Sequence, residues 1–197
     1  MTGLVLLDRD GTINAEKHYL SSPDQLELLP NAAEGIRLLR RLGLPVVVVT
    51  NQSAIGRGYF DLARLAAIHR HLGELLAARG AALDAIFSCP HTPGDGCDCR
   101  KGAPGLARRA AEVFGGDLAR SFAVGDKACD IELGKRVGAT TILVRTGYGA
   151  REEAAIAATN RPEDRPDYVV ADLREAARVI ERLTVGERIG VGIEEGG

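Results

Sequence analysis

The stretch Leu4-Val5-Leu6-Leu7-Asp8-Arg9-Asp10-Gly11-Thr12 begins as an unbroken apolar run and stops at two carboxylates and a glycine. Four apolar residues in succession, without alternation, suit a strand buried on both faces, as strands of parallel sheets are. Comparable runs at residues 45–49, 83–87, 122–124, 141–144 and 168–170 bring the candidate strands to six. Segments of helical period lie between them: residues 31–42, with Asn31 as N-cap after Pro30, and residues 61–79, with Asp61 as cap and Gly80 beyond the end. Further helices are expected at residues 103–114, 129–137 and 173–183. Strand and helix in alternation require right-handed crossovers, so the fold class is α/β, with a mainly parallel central sheet covered on both faces. Ligands of such sheets bind beyond the carboxyl ends of the strands. The loops to inspect therefore follow Leu7, Val49, Phe87 and Val124, whereas Gly147-Tyr148-Gly149 reads only as a turn after the fifth strand.

The chain of 197 residues suits one domain, expected over residues 1–184, with the Gly- and Glu-rich residues 185–197 as a flexible tail. Hydrophobic residues make up 45% and charged residues 26%, ordinary values that exclude disordered and collagen-like chains. With no Trp, 4 Phe, 4 Tyr and 1 Met, the core has to come from Val, Ile, Leu and Ala. A net charge of −2 without a basic stripe argues against a nucleic-acid partner. No apolar run approaches the roughly 20 residues of a membrane span, and the first residues lack the basic and long apolar regions of a secretory leader. A cytoplasmic monomer without a membrane partner is expected.

Asp8 at a strand end is placed to attack phosphorus and form an aspartyl phosphate, and Asp10, two residues on, to reach the leaving oxygen as general acid. Taken alone, the same residues also make an ordinary turn. The second strand ends in Thr50-Asn51-Gln52-Ser53, whose hydroxyl and amide groups suit phosphate oxygens. The fourth ends in Gly125-Asp126-Lys127-Ala128-Cys129-Asp130, and Asp8 and Asp126 on neighbouring strands are placed to share one Mg²⁺, a hard cation preferring oxygen. All 4 cysteines fall between Cys89 and Cys129, unlike a scattered disulfide framework. In Cys89-Pro90-His91-Thr92-Pro93-Gly94-Asp95-Gly96-Cys97-Asp98-Cys99-Arg100-Lys101, three thiols and an imidazole in two close pairs fit a tetrahedral Cys₃His zinc, closed to water and hence structural. Cys129 reads as a buried helix residue, and His69 and His71 as surface or boundary positions.

In this order the residues resemble the haloacid dehalogenase (HAD) superfamily of phosphotransferases. Asp8-Arg9-Asp10-Gly11-Thr12 is similar to its first motif, Thr50 to its second, Lys101 to its third, and Gly125-Asp126-Lys127 with Asp130 to its fourth. Asp at the position of Asp10 marks the phosphatases and mutases of the superfamily. The zinc loop between the second and fourth motifs narrows the resemblance to the branch of heptose bisphosphate phosphatases and histidinol-phosphate phosphatases. That resemblance implies a Rossmann-like three-layer sandwich without a cap domain. It further implies a magnesium-dependent phosphoric monoester hydrolase that removes the 7-phosphate of D-glycero-D-manno-heptose 1,7-bisphosphate, in the making of nucleotide-activated heptose for lipopolysaccharide core. Histidinol phosphate is the alternative substrate, and a zinc-ordered binding protein without turnover the alternative of another class.

By the same resemblance Asp8 is the nucleophile and Asp10 the proton donor, Thr50 and Lys101 stabilise the phosphoryl group, and Arg100 contributes to substrate recognition. Magnesium is held by Asp8, the Asp10 carbonyl and Asp126, and zinc by Cys89, His91, Cys97 and Cys99. Substrate contacts fall to Glu16, Lys17, His18, Tyr19, Thr50, Asn51, Gln52, Ser53, Arg100, Lys101 and Lys127. The chain departs from the pattern in a short stretch from His91 to Cys97, and in Gly102 where Pro is usual.

Overall fold

The computed structural model describes residues 2–159 and 161–190. Six strands, β1 (Val5–Leu7), β2 (Val46–Asn51), β3 (Ala85–Cys89), β4 (Phe122–Gly125), β5 (Thr140–Val144) and β6 (Tyr168–Val170), form one sheet in the order β3-β2-β1-β4-β5-β6. Every neighbouring pair is parallel, with Leu7 opposite Val48 on one side and Val124 on the other. The strands alternate with helices α1 (Ala32–Arg41), α2 (Leu62–Ala77), α3 (Gly105–Phe114), α4 (Ala128–Val137), α5 (Gly149–Ala158) and α6 (Leu173–Gly190).

The central strands are apolar without a break because both their faces are covered. Val5, Leu7, Val46 and Val48 pack with Ile36, Leu39, Ile68, Leu72 and Ile180 of α1, α2 and α6. Leu4, Leu6, Val47 and Val49 point the other way, onto Leu106, Ala107, Ala110 and Leu133 of α3 and α4. This is the period of two expected of a strand, hidden in the sequence because neither face meets water.

Three local details differ from the sequence reading. Helix α5 was not expected: its only large buried residue is Ile156, so no apolar stripe announces it, and its Ala-rich composition and the crossover from β5 to parallel β6 account for it. Asn31 does not cap α1 with its side chain; it has φ 65, and its amide donates to Asp172 at the start of α6 at 2.6 Å. Asp61, in contrast, does cap α2, accepting from the Arg64 N–H at 2.8 Å. Helix α6 runs on to Gly190, past residue 184 where the apolar period fades, and residues 191–197 lie outside the described residues. Among the described residues no helix is long and apolar enough to cross a membrane.

The order of the sheet reverses direction between β1 and β4, and a crevice opens at that point beyond the carboxyl ends. Asp8 and Asp126 are the residues that follow those two strands.

Candidate active site

The Asp8 N–H continues the sheet ladder, donating to the Val124 carbonyl at 2.9 Å, so the nucleophile candidate is anchored by backbone rather than by a flexible loop. Lys101 arrives from the other side: its N–H donates to Asn51 Oδ1 at 2.9 Å, and its side chain, 2% exposed, runs inward. There Nζ lies 2.5 Å from Asp8 Oδ1 and 2.7 Å from Asp130 Oδ1. Burial works against the ammonium charge, but Asp130 and Asp8 more than offset it and raise its pKa. Asp8, Asp10, Glu16, His18, Thr50, Asn51, Lys101 and Lys127, together with Cys129, line a cavity of about 70 Å³. Cys129 is a residue of helix α4, as expected, and also faces the site. A larger cavity, of about 380 Å³, lies between α4 and α5 and holds none of these groups.

Asp8, Asp126 and Asp130 each bring a carboxylate oxygen within 4.8 Å of the others. Asp126 is 0% exposed; its Oδ2 accepts from the Tyr148 N–H at 2.8 Å, while Oδ1 accepts no hydrogen bond and has only the Lys127 ammonium at 3.9 Å. Burial, with the Asp8 charge beside it, pushes Asp126 up to about 8. A buried carboxylate oxygen without a hydrogen bond, facing two more carboxylates, is a donor set for a hard cation, and magnesium fits it. Net charge points the same way. Asp8, Asp10, Glu16, Asp126 and Asp130 outnumber Arg9, Lys101 and Lys127, so an anionic phosphate group calls for further positive charge at the site.

Sequence reading assigned no role to Arg9, Asn14 or Asp130. Arg9 is 1% exposed, and its Nη2 donates to both Asp10 oxygens, at 2.9 and 2.7 Å. Asn14 Nδ2 at 2.9 Å and Gln52 Nε2 at 3.0 Å complete the ring of donors around Asp10, and Gln52 also donates to Thr50 Oγ1. Burial alone would raise the Asp10 pKa; the Arg9 charge and these hydrogen bonds outweigh it and hold the carboxyl below its usual range. An Arg between two Asp gives no warning of burial, since Arg is usually exposed. Asp130 belongs to the fourth motif, and only the fold reveals that it shares Lys101 with Asp8.

At the rim, Lys127 Nζ bonds Glu16 Oε2 at 2.7 Å and sits 5.0 Å from the centre of the Tyr148 ring. His18 has φ 63, and its N–H donates to Glu16 Oε1 at 2.7 Å. Tyr19 packs edge-on against Tyr59, with the Arg57 guanidinium 5.9 Å from its ring. Lys17 is exposed and pairs with Glu27 at 3.3 Å, away from the cavity lining. Ser53 is half-buried just beyond Gln52. Arg100 does not line the cavity; its Nη1 donates to the His91 carbonyl at 3.2 Å.

Beyond β3 the four expected soft ligands converge. Cys99 Sγ lies 3.2 Å from Cys89 Sγ and 3.5 Å from Cys97 Sγ, and His91 Nδ1 lies 3.2 Å from Cys99 Sγ. Ligands about 2.3 Å from a common centre stand about 3.8 Å apart at the corners of a tetrahedron, so the donor set fits zinc. All four cysteines of the chain are free thiols. Burial and the Cys99 thiol push Cys89 up to about 12, so a bound cation is what would hold Cys89 as a thiolate. Gly102, after Lys101, has φ 92, which proline cannot adopt, and its N–H donates to the Cys129 carbonyl at 3.2 Å.

A parallel sheet with two carboxylates just beyond one central strand, a buried lysine beside them and a second strand-end Asp defines a HAD-like phosphatase. A family model described as HAD-hydrolase-like matches residues 98–176. The D-glycero-beta-D-manno-heptose-1,7-bisphosphate 7-phosphatase of Pseudomonas aeruginosa is 45% identical over 149 residues, covering 75% of this chain and 84% of that protein. Its namesake in Escherichia coli is 36% identical over 187 residues, 90% of this chain and 93% of the relative. The crystal structure of D,D-heptose 1,7-bisphosphate phosphatase from B. bronchiseptica, complexed with magnesium and phosphate, superposes with a TM-score of 0.83 at 39% identity, covering 92% of this chain and 99% of that one. The chain belongs to the family of HAD-like phosphatases that these relatives represent.

Proposed function

We propose that this chain removes the 7-phosphate of D-glycero-β-D-manno-heptose 1,7-bisphosphate, the substrate for which its relatives are named, on the way to nucleotide-activated heptose for lipopolysaccharide core. The observation that carries this reading is the Lys101 ammonium held between Asp8 and Asp130, beside an Asp126 oxygen that accepts no hydrogen bond. A nucleophile, a positive charge for the phosphoryl group and a seat for a divalent cation thus meet in one small cavity. Asp8, Asp126 and the Asp10 carbonyl would hold magnesium, which when bound draws charge from the phosphoryl oxygens.

In this reading an Asp8 oxygen attacks phosphorus in line, the bond between phosphorus and the sugar oxygen breaks, and an aspartyl phosphate forms. Lys101 and Thr50 stabilise the transferring group. Asp10 protonates the departing oxygen and then, as a carboxylate, takes a proton from the water that attacks the aspartyl phosphate. Arg9, Asn14 and Gln52 hold Asp10 at rest in the form the second step needs. The proton for the first step has to be taken up as substrate binds, and a phosphate monoester, with a second pKa of about 6, is able to bring it.

Glu16, Lys17, His18, Tyr19, Asn51, Gln52, Ser53, Arg100 and Lys127 are assigned to substrate contact. Lys127 at the mouth suits a second anionic group better than the amine of histidinol phosphate. Residues 1–184 act as one cytoplasmic, monomeric unit, with no nucleic-acid or membrane partner. Phosphate release measured on both anomers of heptose 1,7-bisphosphate and on histidinol phosphate tests the reading. The β-bisphosphate should lead in kcat/KM by tenfold or more; an equal or better rate on histidinol phosphate overturns the assignment.

A further inference from the structure

The segment Arg145-Thr146-Gly147-Tyr148-Gly149, of which the sequence offers Gly147-Tyr148-Gly149 only as a turn, lies against the carboxylate cluster. We infer that this loop positions Asp126, fixing its carboxylate so that one oxygen is held by protein and the other is delivered to the metal.

Three contacts carry the inference. The Tyr148 N–H donates to Asp126 Oδ2 at 2.8 Å, while Asp126 Oδ1, in the same fully buried carboxylate, accepts no hydrogen bond and meets only the Lys127 ammonium at 3.9 Å. Thr146 Oγ1 donates to the Gly11 carbonyl at 2.6 Å, tying the loop after β5 to the loop that carries Asp8 and Asp10. Gly11 and Gly147 close on the carboxylate: a Cβ at Gly11 would lie 2.0 Å from Asp126 Oδ2, and one at Gly147 would lie 2.2 Å from the same oxygen and 2.6 Å from the Gly11 Cα. Both glycines have positive φ, 85 and 57, so neither close approach nor backbone conformation admits a side chain there. The carboxylate is therefore pressed between two backbones and hydrogen-bonded at one oxygen only.

Such an arrangement answers a specific need. Magnesium demands near-ideal octahedral geometry, and a carboxylate free to rotate would swing its oxygen out of place. Groups that orient metal ligands are typically worth about 10- to 100-fold in metal affinity. Thr146, Gly147 and the Tyr148 N–H act through Asp126 and touch no substrate in this scheme, so they are positioning groups.

The inference rests on Asp126 being a magnesium ligand, and metal binding measured without substrate tests both. Mn²⁺ affinity, read by electron paramagnetic resonance on the full chain with zinc in place, should fall by about 10-fold or more in Gly147→Ala. Thr146→Val keeps the side-chain volume and removes the donor; it should weaken Mn²⁺ several-fold, and Thr146→Ser should restore it. Thr146→Val should retain its zinc and its melting temperature to within a few degrees, and Gly147→Ala, whose added Cβ costs stability at this positive φ, should retain its zinc and a cooperative melt, which separates a lost orientation from a lost fold. Wild-type Mn²⁺ affinity in both folded Gly147→Ala and folded Thr146→Val, or failure of Thr146→Ser to rescue, overturns the inference. Wild-type affinity in Asp126→Asn would overturn the magnesium assignment itself.

Discussion

The carboxylate cluster of Asp8, Asp126 and Asp130 and the soft cluster of Cys89, His91, Cys97 and Cys99 stand at the same edge of one sheet but are held by different devices. The carboxylates follow central strands β1 and β4 or sit in the first turn of α4, all three are buried, and Lys101 and backbone N–H groups fill part of their bonding capacity. Of the soft ligands only Cys89 lies in a strand, the edge strand β3; the others come from a loop of mostly exposed residues. The first geometry is made by the fold and stands ready for an ion. The second is tied by a few hydrogen bonds of its own, the Gly56 N–H to the Pro90 carbonyl at 2.9 Å and the Thr92 N–H to Asp95 at 2.7 Å among them, so ion binding should add much of the loop's order. Because Lys101 follows Cys99 by two residues, the loop that depends on zinc supplies the ammonium that the carboxylate site depends on.

That contrast is breakable, and the largest effect should come from the ready-made site. Asp8→Asn keeps the size of the side chain and removes the nucleophile; phosphate release should fall by about a thousandfold or more, while the melting temperature stays near that of the parent. A folded variant retaining more than about a hundredth of the parent rate would remove Asp8 from the chemistry.

On the other side, Cys97→Ser should take zinc from near one per chain to a small fraction, by elemental analysis. It should lower the melting temperature by about 5 °C or more and expose residues 90–101 to proteolysis. EDTA sufficient to remove magnesium alone should stop turnover without either structural change, and added magnesium should restore it. If magnesium removal melts the protein and zinc loss does not, the two devices have been exchanged.

Arg100 and Lys101 are adjacent but belong to the two regions, Arg100 donating to the His91 carbonyl and Lys101 reaching Asp8. Lys101→Ala should damage hydrolysis of heptose bisphosphate and p-nitrophenyl phosphate alike. Arg100→Ala should cost about 10- to 100-fold in kcat/KM on the bisphosphate, the worth of a charge-assisted bond, and much less on the simple ester. Equal losses on both substrates for Arg100→Ala would move it to the reacting phosphoryl group.

The smallest effect concerns stability. Burial on α2, together with the nearby Arg9 charge, lowers the His69 pKa from 6.5 to about 4. Above pH 6.5 the imidazole is neutral both folded and unfolded, and this contribution to stability is intact. As pH falls from 6.5 toward 4 the unfolded chain takes up a proton that the folded one refuses, and stability declines by at most about 3 kcal/mol. Denaturant titrations of His69→Gln should show a shallower decline over that window; an unchanged slope would mean that His69 titrates freely.

Much of this was legible beforehand, for identifiable reasons. Six strands were readable because burial on both faces makes continuous apolar runs, and Asp61 announced α2 because a side-chain cap is a local contact. Helix α5 was hidden because Ile156 alone anchors it, and Asn31 misled because it bonds Asp172, a partner far along the chain. Within the site, the spacing of Cys89, His91, Cys97 and Cys99 showed its chemistry directly, since their ligand types are distinctive. Arg9, Asn14 and Asp130 did not, because an Arg, an Asn or an Asp in a loop or a helix's first turn has the same letters whether solvated or buried.

Sequence by itself therefore determined the elements, their alternation, and which residue types could serve phosphoryl transfer and zinc. These follow from local propensity, burial period and the chemistry of single side chains. Tertiary structure alone decided how those groups are charged and aimed: that Lys101 stands between Asp8 and Asp130, that Arg9 is buried against Asp10, and that the Thr146 to Gly149 loop leaves one Asp126 oxygen free. Such relations depend on burial and on distances of a few ångströms between residues up to more than a hundred positions apart, and Coulomb and hydrogen-bond energies are fixed only once those distances exist.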